Sequence, residues 1–321
     1  MKHSLALIPL AAILLAGCAS PAPADVVVPS APTAYVPVTL DNCGFPETVD
    51  AAPERVVTIK STSTELMLAL GLEDRIIGTA FQDGPVPSEI SDAELPVIAE
   101  RMPSEEALLD LEPDFVFAGW ESAFTADTAG DRAELAGLGI GSYVSPAACK
   151  GEGYRPASLS FDDVFSYIEE AGDIFGVPAI ADDLVADQKD ELAAIETDDS
   201  GKTALWWSSG TDTPYVGGGI GAPQMIMDTL GLSNIGSDLQ DSWSSLNWEA
   251  IIAANPDVIV LVDASWNTAD SKKAFLAGNP ATANLDAVKN EQYLVIPFAA
   301  GEAGVRNVSA TADLADQLKA L

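Results

Sequence analysis

The sequence has one histidine, His3, and none after it. Imidazole is the commonest general base and the commonest metal ligand. Its absence rules out a Ser-His-Asp triad and leaves no donor set suited to zinc or manganese. Neither a catalytic nor a metal centre is expected. Cations are scarce too, with 15 Lys plus Arg against 49 Asp plus Glu, a net charge of −34. Nucleic acid is excluded as a partner, because phosphate neutralisation needs clustered positive charge. Only one long apolar run exists, from Leu5 to Ala16, and it is too short for a stable transmembrane helix. Cysteines number three.

That apolar run follows Lys2 and His3 and ends in Leu15-Ala16-Gly17-Cys18. A basic start, a short apolar core and small residues at the end make a secretory signal. The last four residues resemble the bacterial lipobox, which implies lipidation of Cys18. Residues 1–17 are accordingly read as signal peptide. Residues 18–37, with Pro21, Pro23, Pro29, Pro32 and Pro37 among small side chains, read as a semi-extended tether. The expected arrangement is a body anchored to the membrane by lipid, outside the cytoplasm. With Cys18 so assigned, Cys43 and Cys149 are an even pair in an oxidising compartment, where a disulfide is favoured over two free thiols.

The rest of the chain is long enough for two modest lobes, and its halves repeat one grammar. In the first half Arg55–Ile59 reads as a buried strand and Thr62-Ser63-Thr64-Glu65 as a capping box opening a helix. Gly71 stops that helix, and a second strand follows within Leu72–Gly78. A helix from about Ser104 to Leu111 then precedes strands at Pro113–Phe117 and Ile140–Val144. In the second half Thr203–Ser208 is a strand, Pro223 opens a helix, and Gly231-Leu232 answers Gly71-Leu72. Glu249–Ala254 is a helix, and Pro256-Asp257-Val258-Ile259-Val260 answers Pro113-Asp114-Phe115-Val116-Phe117.

Between the halves, Ser160 and Asp163 cap a helix with Phe161, Val164, Phe165, Ile168 and Phe175 on one face. A longer helix starts at Val177-Pro178, with Val177, Ile180, Leu184, Leu192 and Ile195 inward. The pattern predicts an α/β fold of two pseudo-equivalent three-layer lobes, residues 38–176 and 197–321, with central mostly parallel sheets. One long spine helix over residues 177–196 joins them.

In this order and spacing, Pro53-Glu54-Arg55-Val56-Val57, Ser63-Thr64-Glu65-Leu66, the two Pro-Asp strands and the spine helix resemble a known family. It is that of the helical-backbone, class III periplasmic binding proteins, which carry cobalamin, haem and ferric siderophores for ABC importers. The resemblance implies no enzyme activity and no cofactor. It implies a monomer that takes a small-molecule ligand and delivers it to permease and ATPase subunits. The family docks through one glutamate per lobe. Glu106 stands seven residues before Pro113 and Glu249 seven before Pro256, which assigns them that role by resemblance. A helix's first turn also favours acid through its dipole.

Ligands of two-lobed α/β proteins sit beyond the carboxyl ends of the strands. Trp120 and Trp266 follow strands, Phe81, Tyr154, Tyr215 and Trp243 fall in connecting loops, and all six are assigned to the cleft. Of the adjacent Trp206 and Trp207 only one can face it, and Trp207 is the one assigned. Lys60, Ser61 and Thr62 at a helix start, with Arg155 and Arg306, add capacity for anions. A large planar, anionic ligand is expected. Gly217-x-Gly219-x-x-Ala222 fits a dinucleotide fingerprint loosely, so an NAD(P)-type enzyme is one alternative. A non-transport surface lipoprotein is another. Finally, Lys60–Glu65, Trp207–Pro214, Gly221–Asp228 and Gly304–Val308 resemble an actinobacterial subfamily proposed to import F420-0. That resemblance implies a flat deazaflavin with a phosphate-lactate tail, with cobalamin, haem or a ferric siderophore as alternatives.

Overall fold

The structure, a computed structural model, describes residues 34–321; Cys18 and the signal peptide lie outside them. The chain opens with an antiparallel hairpin, β1 (Val38–Asn42) and β2 (Phe45–Val49). It continues through β3 (Val56–Ile59), α1 (Ser61–Ala69), β4 (Ile76–Ala80), β5 (Val97–Ala99), α2 (Glu105–Leu109), β6 (Phe115–Ala118), α3 (Arg132–Gly137) and β7 (Gly141–Val144). The five strands from β3 to β7 form a wholly parallel sheet in the order β5-β4-β3-β6-β7. Such a sheet needs cover on both faces, which is why β3 and β6 are buried at every position.

Two helices follow, α4 (Phe161–Ile174) and α5 (Pro178–Ala194). The second lobe comprises β8 (Thr203–Ser209), β9 (Tyr215–Gly217), α6 (Ala222–Leu230), β10 (Ser233–Asn234), β11 (Trp243–Ser245), α7 (Trp248–Ala254), β12 (Val258–Asp263), α8 (Ala269–Gly278), α9 (Asp286–Lys289), β13 (Tyr293–Pro297) and α10 (Asn307–Lys319). Its sheet runs β11-β9-β8-β12-β13, with β10 also pairing β8. The β8, β12 and β13 strands are parallel, whereas β9 pairs antiparallel with both β8 and β11. The α/β fold with two lobes of mostly parallel strands is thus present.

The repeated grammar has a physical basis. Asp114 accepts from the amides of Glu54 and Arg55 at 2.9 and 3.0 Å, just before β3. Asp257 accepts from the amide of Thr203 at 2.8 Å, at the start of β8. Each Pro-Asp pair therefore pins its strand to the neighbouring one. Gly71 and Gly231 both adopt positive φ, 70° and 75°, and let the next leucine amide close the helix end.

Helix α5 packs between α4 and α10, and one apolar core continues through these helices from the first lobe to the second. Its buried stripe is Ala181, Val185 and Gln188, with Val177, Leu184, Leu192 and Ile195 partly covered beside it. Ile180, expected inward, is 46% exposed, because it lies one helical step off that stripe. The capping box of α4 forms as expected, with Ser160 and Asp163 bonding each other's backbone. The one expected at Thr62–Glu65 does not. The chain turns directly from β3 into α1 through Lys60, and Ser61 to Leu68 are all buried helical residues.

Cys43 in the β1–β2 turn is disulfide-bonded to Cys149, so the hairpin is tied to the loop after β7. Among the described residues no helix is long and apolar enough to cross a membrane.

Candidate ligand-binding cleft

Three parallel strands end together and set the site's geometry. Lys60 follows β3 with φ 82° and Phe81 follows β4 with φ 51°. Left-handed backbone at non-glycine residues is strain of the kind that collects at functional sites. Beyond β6, Gly119 lies so close that a Cβ there would be 2.5 Å from Thr62 Oγ1. Only glycine allows this approach, and it delivers Trp120 over Lys60.

The Lys60 ammonium is bonded to Asp83 and lies 3.8 Å from the Trp120 ring centroid, 4.2 Å from that of Phe81 and 5.2 Å from that of Phe298. Cation–π attraction strengthens when the ion is desolvated, and Lys60 is 1% exposed. Burial nevertheless pushes the Asp83 carboxyl up, against the pull of Lys60. Trp120 meets Phe81 edge-on and donates from Nε1 to Glu302 Oε2 of the other lobe at 2.7 Å. Burial pushes Glu302 up as well.

Above this floor lies a cleft between the sheets. A cavity of about 240 Å³ is lined by Thr62, Trp120, Lys150, Tyr215, Trp243 and Glu302 among others. A second, of about 340 Å³, shares Ser145, Ala147, Leu159 and Ala303 with the first and reaches Tyr154. One wall is a ladder of near-parallel rings. Tyr215 and Trp243 are 6.3 Å apart at 15°, and Trp243 and Phe298 are 6.3 Å apart at 5°. Trp266, 60% exposed, meets Phe298 edge-on at 6.0 Å.

Polar bridges join the lobes around the cleft. Leu159 N donates to Ile220 O at 2.9 Å. Arg155 donates to Gln240 O and pairs with Asp241 at 3.0 Å, with Lys150 3.7 Å from the same carboxylate. Arg306 pairs with Glu65 at 3.3 Å. Burial outweighs that guanidinium and raises the Glu65 carboxyl to about 7.

Of the residues assigned from sequence, Thr62, Trp120, Tyr215 and Trp243 line the first cavity and Tyr154 the second. Phe81 lies beneath Trp120, Trp266 lies beside the ladder, and Arg155 bridges the lobes. Four assignments need correcting. Trp207 points away from the cleft. Residues alternate along β8, so Trp206 enters the core shared by the lobes while Trp207 packs against Trp248 and Phe275. Lys60 is consumed by Asp83 and its ring cage. Ser61 Oγ accepts from the Asp83 amide at 2.7 Å. Arg306 is committed to Glu65. None of these four lines either cavity, and neither do Phe81, Arg155 and Trp266.

Sequence reasoning missed Glu302, Asp83 and Lys150. Glu302 and Asp83 follow strands β13 and β4 closely, the same positional signal that marked Trp120.

The glycine stretch has a packing role. A Cβ on Gly218 would be 2.1 Å from Asp241 O, and one on Gly219 would be 1.9 Å from Ser237 O. Its amides at 218 and 219 bond Ser242 O and Leu239 O. This loop is glycine-rich to fit the 237–242 segment, not a pyrophosphate. Among the described residues no group of three or more His, Cys, Asp or Glu is placed to hold a metal ion.

Residues 56–300 match the periplasmic binding protein family. The chain belongs to that family. It is a substrate-binding protein of the ABC-transporter type and not an enzyme. The chain is 27% identical to the "Uncharacterized ABC transporter substrate-binding lipoprotein YvrC" of Bacillus subtilis, over 96% of this chain and 94% of that one. It is 26% identical to a cobalamin-binding protein of Halobacterium salinarum, over 74% of this chain but only 64% of that longer one. Among solved structures, a periplasmic binding protein from Veillonella parvula superposes with a TM-score of 0.78 at 26% identity, covering 89% of this chain and 98% of that one. An ABC-type Fe3+-hydroxamate transport system protein from Saccharomonospora viridis gives 0.75 at 26% identity, covering 88% and 99%.

Proposed function

We propose that this chain, anchored outside the cytoplasm by lipid on Cys18 and a tether over residues 18–37, captures a flat heteroaromatic ligand of cofactor type. It hands that ligand to an ABC permease and its ATPase, docking through Glu106 and Glu249. F420-0 is the ligand we favour. The observation that carries this reading is the near-parallel ladder Tyr215–Trp243–Phe298, of which Tyr215 and Trp243 line the first cavity. Trp120 lines the same cavity from the other lobe. Offset stacking between such faces suits a planar tricycle. Lys150, exposed at the rim and 3.7 Å from Asp241, supplies positive charge for a phosphate-bearing tail.

A corrinoid or ferric siderophore is the second reading. It is favoured by the cobalamin-binding relative and the Fe3+-hydroxamate transport structure, both 26% identical to this chain. One experiment separates them. Residues 19–321, which contain the compact unit Tyr35–Leu321, are purified and the bound small molecule is identified by absorbance and mass. A deazaflavin spectrum and mass support the favoured reading, and a cobalt or iron complex replaces it with the second.

A further inference from the structure

A part-buried carboxylate oxygen in the cleft has no partner. Glu302 lines the first cavity, and its Oε2 accepts from Trp120 Nε1 at 2.7 Å. Among the described residues no donor reaches its other oxygen, Oε1. No nearby cation reaches it: Lys60 is bonded to Asp83 within the ring cage, Arg155 pairs with Asp241, and Lys150 lies at the exposed rim. Asp83 also has an unpartnered oxygen, but that one is sealed from solvent whereas Glu302 Oε1 is not. Glu121, the other carboxylate lining this cavity, also has one free oxygen, but its bond to the Lys150 amide is exposed, whereas that of Glu302 to Trp120 is part-buried. The part-buried free carboxylate oxygen of the cleft is therefore that of Glu302.

We propose that Glu302 Oε1 determines specificity by accepting a ring N–H donor on the edge of the flat ligand. The inference rests on the flat-ring reading above and adds the chemical class, a heterocycle with an imide or lactam N–H. Trp120 holds the carboxylate from the opposite lobe, so the acceptor is oriented before the ligand arrives. A carboxylate left without a donor in a closed cleft disfavours ligands that offer only acceptors.

The test uses 8-hydroxy-5-deazariboflavin, which has one imide N–H, and its N3-methyl derivative, which has none. Wild type is expected to bind the first at least about tenfold more tightly, the worth of one hydrogen bond to a charged group. Glu302→Ala is expected to bind both equally, and a cooperative urea-unfolding transition shows that it is folded. Glu302→Gln is the second variant. With its oxygen held by Trp120, its amide NH2 faces the ring N–H, donor against donor, so discrimination is expected to collapse there too. Equal binding of the two rings by wild type, or discrimination retained by either variant, overturns the assignment and leaves the flat-ring reading standing. Failure of wild type to bind either ring overturns both.

Discussion

Glu106 and Glu249 hold the same helical position in the two lobes. Each is the second residue of a short helix, after an N-cap that accepts from the amide of the third: Ser104 from Ala107 at 3.2 Å, Asn247 from Ala250 at 2.7 Å. Both side chains are exposed, and among the described residues neither has a cation within ion-pair distance. An acid at this position is favoured by the helix dipole whatever its role. The dipole alone does not require the match between lobes that two-fold docking does.

Reversing both charges separates the two explanations. Glu106→Arg with Glu249→Arg is expected to lower uptake by at least about thirtyfold, as lost interfacial charge pairs do, and to leave ligand affinity unchanged. The measurements are whole-cell uptake and equilibrium binding to the purified protein. Normal uptake by the double variant would remove docking from these residues.

The Cys43–Cys149 bond spans 106 residues of sequence and ties the hairpin to the rim of the cleft. In the chain-entropy account a loop near that length stabilises by about 4–5 kcal/mol. The double variant Cys43→Ser, Cys149→Ser is expected to lose a similar amount in urea unfolding. A loss below about 1 kcal/mol would mean that the hairpin is held by its other contacts, such as Asn42 with the backbone of Val144.

Glu65 makes stability depend on pH in a direction opposite to the usual salt-bridged carboxylate. Its native value of about 7 lies above its ordinary 4.5, because burial of a side chain only 2% exposed outweighs Arg306. Between those values the native state keeps a proton that the unfolded chain has released, so stability falls as pH rises. Relative to Glu65→Gln, wild type is expected to lose about 2–3 kcal/mol between about pH 5 and about pH 8. Urea unfolding of both proteins at the two pH values checks this. A constant difference would place the Glu65 proton elsewhere.

Much of the lobe architecture was legible because it rests on local rules. The Pro-Asp pairs carry a side chain that reaches the neighbouring strand, and Gly71 and Gly231 end helices by positive φ. Those needs leave a trace in the residues themselves. The polar centre of the cleft leaves less. Lys60, Ser61 and Arg306 looked like free anion binders, yet each is claimed by a residue distant in sequence: Asp83 for the first two and Glu65 for the third. A scarce cation in an acidic chain has many possible partners, and the sequence does not say which the fold brings near. The hairpin β1–β2 and the edge strand β5 were also missed, since short exposed strands carry little apolar period.

The tryptophans give the sharpest contrast between reading and structure. Trp207 is 1% exposed and wedged between Trp248 and Phe275, with its Nε1 bonded to Ser209 O at 2.8 Å. Trp207→Ala is therefore expected to cost about 3–5 kcal/mol of stability, as large core truncations do, with little change in ligand affinity. Trp243 lies on a short edge strand and is the middle rung of the ladder in the cleft. Trp243→Ala is expected to weaken binding of 8-hydroxy-5-deazariboflavin by at least about tenfold while leaving stability within about 1 kcal/mol. Urea unfolding and fluorescence titration of the two variants measure both quantities. Loss of affinity in a stable Trp207→Ala protein would place that ring back in the binding path.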